Sequence, residues 1–250
     1  MQRTDSPETP GPPNREPIPE PPWWSSPRDA AERSRTPLTR DAIVEAALAV
    51  LGREGLDALS MRQVAAELGV GAASLYWHVS GKEHLLTLVL DRVIGEIPRP
   101  EPDPTRWQEQ IRQFARDTRT AFQRYRGVAR ASMGRVPVGP NFLLVVEWQL
   151  SLFEQAGLPK RPAAWFGDLL ALYVAAHALE DDVRAGETDD PGEIAAMLES
   201  YFATLPPERF PALTASAPNL MAGSPDDRFE FGLELILRGL EAMAERERAT

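Results

Sequence analysis

The chain has 250 residues, 43% of them hydrophobic, and a net charge of −10 from 27 Lys and Arg against 37 Asp and Glu. That apolar content suffices for a buried core in one or two domains and excludes global disorder. Cysteine is absent, which excludes disulfides, thiolate zinc sites and thiol catalysis and fits a reducing, cytoplasmic setting.

Residues 1–37 hold ten of the 24 prolines and show no helical period, so they are expected to form a flexible tail with no apolar signal core. Trp23-Trp24 is its odd feature, either a docking point for a partner or an incidental apolar pair. Arg33, Arg35 and Arg40 either reach DNA phosphates or form a solvated charge run.

From Thr39 the period becomes helical, with Ile43, Ala47, Val50 and Leu51 on one face and Thr39 and Asp41 at the N-terminus. Ser60 with Gln63 reads as a capping box for a helix that turns Val64, Ala65 and Leu68 inward and stops at Gly69. A further short helix is predicted over Ala72–Val79. Ser80 with Glu83 reads as a second capping box, opening a helix through Leu85, Leu86, Val89, Val93 and Ile97.

Pro98, Pro100, Pro102 and Pro104 then break the chain, separating a domain at 38–97 from one at 105–250. The second part carries five or six predicted helical stretches: Trp107–Arg124, a short turn at Val128–Met133, Asn141–Ala156, Pro162–Ala185, Gly192–Leu205 and Asp226–Arg248. The expected fold is all-α, with about nine to ten helices. The longest oily run, Ala163–Leu179, is interrupted by Asp168 and His177 and predicts no membrane span.

The segment from Leu59 to His78 has the build of a helix-turn-helix, two short helices joined by a tight glycine turn. Leu75 and Val79 can pack the second helix onto Val64 and Leu68. That leaves Ala72, Ala73, Ser74, Tyr76, Trp77 and His78 for the other faces. Small alanines let the helix approach a groove and touch a thymine methyl. Ser74 can bond a base edge or a phosphate, while Tyr76, Trp77, His78 and Lys82 suit the sugar–phosphate wall. Residues 36–92 hold five basic and seven acidic side chains, so the placement of Arg40, Arg62 and Lys82 must outweigh an unfavourable sum.

Thr39 to Ile94 resembles the DNA-binding domain of TetR-type transcriptional regulators, most closely in the run Leu75-Tyr76-Trp77-His78-Val79 followed by Lys82. The resemblance implies operator contacts by Arg62, Ala73, Ser74, Tyr76, Trp77, His78 and Lys82. Ala72 and Ala73 depart from the Gln and Pro of the tetracycline repressor, implying a different operator. It also implies a homodimeric repressor, released from a near-palindromic duplex by a small molecule bound in the C-terminal helices. No Gly-rich phosphate loop, nucleophile elbow or zinc spacing is present, so no metal and no catalysis are expected. Tetracycline fits poorly: Pro98 stands where the tetracycline-binding member has a drug-contacting His, and Val128–Met133 lacks the His that binds magnesium there.

Two C-terminal helices are apolar on more than one face, one around Trp165, Phe166, Leu169, Leu172, Tyr173 and Leu179, the other from Phe229 to Leu240. A monomer needs only one stripe, so the surplus predicts a twofold dimer through Leu172, Leu179, Leu233, Ile236, Leu237 and Leu240. The effector-pocket candidates are Trp107, Phe114, Trp148, Phe166, Tyr173 and His177. Two rival readings stand beside this one. His177 and Glu180, three apart, are a fragment of a carboxylate–histidine metal site for a helical enzyme, and an interaction protein without DNA keeps the same fold.

Overall fold

The computed structural model describes residues 38–135, 138–186 and 191–248; the tail with Trp23-Trp24, Arg33 and Arg35 lies outside them. Among the described residues the fold is all-α, with eleven α-helices and no strand. They are α1 (Arg40–Glu54), α2 (Met61–Glu67), α3 (Ala72–Leu75), α4 (Lys82–Gly95), α5 (Trp107–Arg124), α6 (Val128–Ser132), α7 (Pro140–Gln155), α8 (Lys160–Arg184), α9 (Pro191–Ala203), α10 (Pro211–Met221) and α11 (Pro225–Arg248).

The first two helix starts follow from their caps. Thr39 Oγ1 accepts from Ala42 N at 3.1 Å, and Ser60 Oγ accepts from Gln63 N at 3.2 Å. Ser60 makes only half of the expected box, because Gln63 Nε2 donates to Glu54 Oε2 at 2.9 Å. Gly69, at φ 65°, closes α2 with paired bonds from its own N–H to Ala66 O and from Val70 N–H to Ala65 O.

Two expectations need correction. The helix predicted over Ala72–Val79 ends at Leu75, where both His78 N–H and Val79 N–H turn onto Leu75 O and tighten the chain. This turn puts Val79 into the core while Tyr76 and Trp77 stay exposed. The second capping box is not made: Gly81 is the cap of α4, Ser80 N–H donates to His84 Nδ1 at 3.1 Å, and Glu83 pairs with Arg135.

Helix α10 is absent from the sequence expectation, since Pro206-Pro207 and Pro225 read as separators. It starts on Pro211, whose missing N–H does no harm at a first turn, and carries Pro218 inside. It packs against α9.

The core has two parts. The first joins α1–α4 to Ala121 and Phe122 of α5, to α6, and to Ala175 and Ala178 of α8, so apolar packing crosses the proline-rich stretch. The second gathers Ile111, Trp148, Leu152, Phe153, Phe166, Leu170 and Val174 around Phe229, Leu233, Leu237 and Leu240 of α11. Three arginines of α5 meet three acids of α11 in antiparallel register: Arg112 with Glu234, Arg116 with Glu230 and Arg119 with Asp226. By length and composition α8 is the one described helix apolar enough to cross a membrane, yet it packs against α5, α6, α7 and α11.

The dimer expectation is corrected on α11. Leu233, Leu237 and Leu240 face the core of their own chain, because each lies on the stripe that includes Phe229 and Ala244. The uncovered apolar side of that helix is Phe231, Leu235 and Met243. On α8, Leu172 is exposed beside Trp165 and Leu169, whereas Leu179 packs partly into the first core and Ile236 of α11 partly into the second.

Candidate nucleic-acid interface and effector region

Helices α2 and α3 are held against α1 by Leu75 and Val79, both fully buried, packing with Val64 and Leu68. At the surface, Arg53 Nη2 of α1 bonds Glu67 Oε2 of α2 at 2.8 Å, beside the Gln63–Glu54 bond. Those bonds fix α2 on one side and leave Arg62 on the other.

The outward residues are those the motif requires. Tyr76 is 52% and Trp77 51% exposed, Ala73, Ser74 and Arg62 are exposed, and Ala72, His78 and Lys82 are half-buried. Large aromatics seldom stand this far out on a chain with a well-formed core beneath them, so a contiguous exposed pair marks an interaction surface.

Charge is distributed to match. Among the described residues, Arg62 and Lys82 have no carboxylate within ion-pair distance, while Arg53 is taken by Glu54 and Glu67 and Arg92 by Glu45. Six of the seven acids of residues 36–92 are engaged: Glu45, Glu54, Glu67, Asp57 with Arg130, Glu83 with Arg135, and Asp91 on backbone N–H groups of α7. Arginines from beyond the segment therefore offset its negative sum, and the motif's own cations remain available for phosphate.

Arg40 stands at the first position of α1. Its side chain lines a cavity of about 190 Å³ between α1, α4 and the start of α7, together with Asp91, Arg92 and Asn141 and with no residue of α2 or α3.

The six effector-pocket candidates fall into three aromatic contacts. Trp107 and Phe166 both meet Phe153 edge-on, at 5.9 and 5.3 Å between ring centres. Phe114 lies 5.2 Å from Trp148, whose indole N–H donates to Pro100 O at 2.6 Å. Tyr173 and His177 flank Phe229 at 5.5 and 5.4 Å, with the Arg119 guanidinium 4.8 Å over the same ring. Tyr173 Oη donates to Phe229 O at 2.7 Å. Burial pushes the His177 imidazole below its usual pKa, partly opposed by Glu180, 4.0 Å away. A second cavity, of about 220 Å³, lies between Leu56 and Asp57 on one side and Arg126, Leu179 and Asp182 on the other; none of the six lines it.

Gln149 is a polar residue that the sequence reading passes over. It is buried between α7 and α8 beside Gly167, and its amide nitrogen has no partner among the described residues. The signal is present in the pattern, because Gln149 interrupts the apolar stripe Val145, Trp148, Leu152 and Phe153. A buried amide without a partner costs free energy unless another molecule satisfies it. Among the described residues no group of three His, Asp or Glu side chains is placed to hold a metal ion.

Comparison with known proteins agrees with this architecture. A family model described as tetracyclin repressor-like, C-terminal domain, matches residues 99–244, and one described as bacterial regulatory proteins, tetR family, matches residues 43–89. The HTH-type transcriptional repressor DrrR1 of Streptomyces coeruleorubidus is 33% identical over 238 residues, covering 90% of this chain and 85% of that protein. Apo ActR from Streptomyces coelicolor is 44% identical with a TM-score of 0.78, covering 86% of this chain and all of that one. ActR in complex with actinorhodin gives 44% and 0.77, covering 83% and 97%. The chain belongs to the TetR family of helix-turn-helix regulatory proteins.

Proposed function

We propose that the chain acts as a homodimeric repressor that reads a near-palindromic duplex and releases it when a small molecule binds among the C-terminal helices. The observation that carries this reading is the exposed Tyr76 and Trp77 beside Arg62 and Lys82, two cations without carboxylate partners among the described residues, in a segment six of whose seven acids are engaged. In this reading residues 38–97 bind DNA, 98–104 link, and 105–250 bind the effector and the second subunit. Arg40, Arg62, Ala72, Ala73, Ser74, Tyr76, Trp77, His78 and Lys82 touch the duplex.

The dimer forms through Trp165, Leu169 and Leu172 of α8 with Phe231 and Leu235 of α11, all exposed on one chain. A twofold axis there sets two reading heads about 34 Å apart, one turn of DNA, which is why the site is near-palindromic. The ActR complexes with (S)-DNPA and actinorhodin support a small-molecule effector, and Gln149, Trp148 and Phe114 are the residues to meet it. Release requires that this molecule favour the arrangement whose heads no longer match successive grooves. The protein works where the DNA is, in the cytoplasm.

The test is selection of duplexes by the purified full-length chain from a random-sequence library, followed by sedimentation. The expected result is an inverted pair of half-sites bound by a dimer. A monomer, or a chain that retains no duplex at low ionic strength, would overturn the proposal.

A further inference from the structure

Helix α7 has no cap from its own neighbourhood. Gly139 before it has no side chain and Pro140 has no N–H, so its first free donors belong to Asn141 and Phe142. Their acceptor comes from another helix. Asp91 of α4, only 4% exposed, accepts from Phe142 N at 2.9 Å on one carboxylate oxygen. Its other oxygen accepts from Asn141 N at 3.3 Å and from Asn141 Nδ2 at 3.0 Å.

Among the described residues Asp91 forms no ion pair; burial raises its pKa, opposed by the bonds from Phe142 and Asn141 and, at longer range, by Arg99. One turn along α4, Gly95 omits a Cβ that would stand 2.8 Å from the Asn141 side chain, so the Asn141 amide lies flush on α4. Further along α7, Trp148 is bonded to Pro100, in the stretch that leaves α4. The helix that carries Trp148 and Gln149 is thus fastened directionally to the helix that follows the reading motif.

One other tie shares this quality, Glu96 at the end of α4, but it accepts from Arg124 and Tyr125 at the end of α5 and does not reach α7. Arg130–Asp57 and Arg135–Glu83 pair with acids that are 89% and 73% exposed, so water can replace either partner. The shared apolar core is non-directional. A shift of α7 that left α4 in place would have to break the Asp91 bonds, because those bonds end on two successive backbone N–H groups.

We infer that Asp91 is a positioning residue that makes α4 follow α7, and so couples the effector region to the DNA-reading motif. The inference rests on the DNA-binding reading proposed above. Coupling is reciprocal, so DNA bound at the motif must be felt at the start of α7.

Hydrogen exchange of the full-length chain, with and without a duplex selected from random sequence, reads both places at once. In the parent the duplex slows exchange several-fold in residues 61–82 and in residues 140–146. In Asp91→Asn, which keeps one acceptor oxygen where the carboxylate uses two, the first effect remains and the second disappears. A response at 140–146 in Asp91→Asn equal to the parent's overturns the inference, as does a parent in which only 61–82 responds. A parent in which neither segment responds defeats the DNA-binding reading and takes the inference with it. Should Asp91→Asn fail to fold, Asn141→Ala, which keeps both backbone bonds and loses the third, must show a reduced response at 140–146; a full response there is equally fatal.

Discussion

Arg119 of α5 holds Asp181 of α8 through two parallel hydrogen bonds, 2.7 Å from Nε and 3.0 Å from Nη2, and sends its remaining nitrogen to Asp226 of α11 at 2.8 Å. One guanidinium thereby joins three helices of the second half, nearly out of contact with water. Removing it leaves a poorly solvated carboxylate behind, the costly case for an ion pair. Arg119→Ala is expected to lose about 3–5 kcal/mol of folding stability, read as a lower urea midpoint. A loss under about 1 kcal/mol would show that Gln123 and Arg184 suffice to hold Asp181.

His177 makes stability depend on mild acid. Its pKa is lowered in the fold by burial, so the unfolded chain takes up the proton first. Stability is unaffected by this group well above about pH 6.5 and declines as pH falls from there toward the folded pKa. In His177→Gln the thermal midpoint should decline less than the parent's as pH falls through about 6.5. An unchanged slope would show that His177 does not carry the loss.

What the sequence made legible was local. Thr39, Ser60 and Gly69 announced their helix ends because caps and glycine stops act within a few residues. The outward set on the motif was also readable, since Leu75 and Val79 dictate which side is inward. What stayed hidden depends on partners far along the chain. Glu83 reads as a cap residue until Arg135 is brought beside it, and Gln63 as a capping partner until Glu54 takes its amide. Leu237 and Leu235 carry the same hydrophobic signal, and only packing against α8 decides which is core. Helix α10 was concealed by Pro206-Pro207 and Pro225, which local rules read as the limits of a connection.

Lys82 is expected to act through phosphate alone. Lys82→Ala should weaken binding to selected and unrelated duplexes alike, and flatten the plot of log K against log salt by about 0.9 for each phosphate it no longer neutralises. Equal slopes for mutant and parent would deny Lys82 that role.

Tyr76 offers a contrasting outcome. At 52% exposure it contributes little to the core, so Tyr76→Ala should leave stability within about 0.5 kcal/mol. Its loss from the interface should cost about 1–3 kcal/mol of binding to the selected duplex. A destabilised mutant with parental affinity would make Tyr76 a packing residue.

Leu235 and Leu237 separate assembly from folding on a single helix. Leu235 is 58% exposed in line with Phe231, while Leu237 is fully buried against Phe229 and Leu233. A carboxylate at position 235 meets water in the lone chain and an apolar surface only in the dimer, so Leu235→Glu should yield folded monomers with parental helical content. A carboxylate at position 237 has no route to water without opening α11 from α8, and Leu237→Glu should unfold the second half of the chain. Sedimentation with circular dichroism distinguishes the two outcomes. A dimeric Leu235→Glu chain would move the interface off this face of α11, and a folded, monomeric Leu237→Glu chain would return position 237 to the interface.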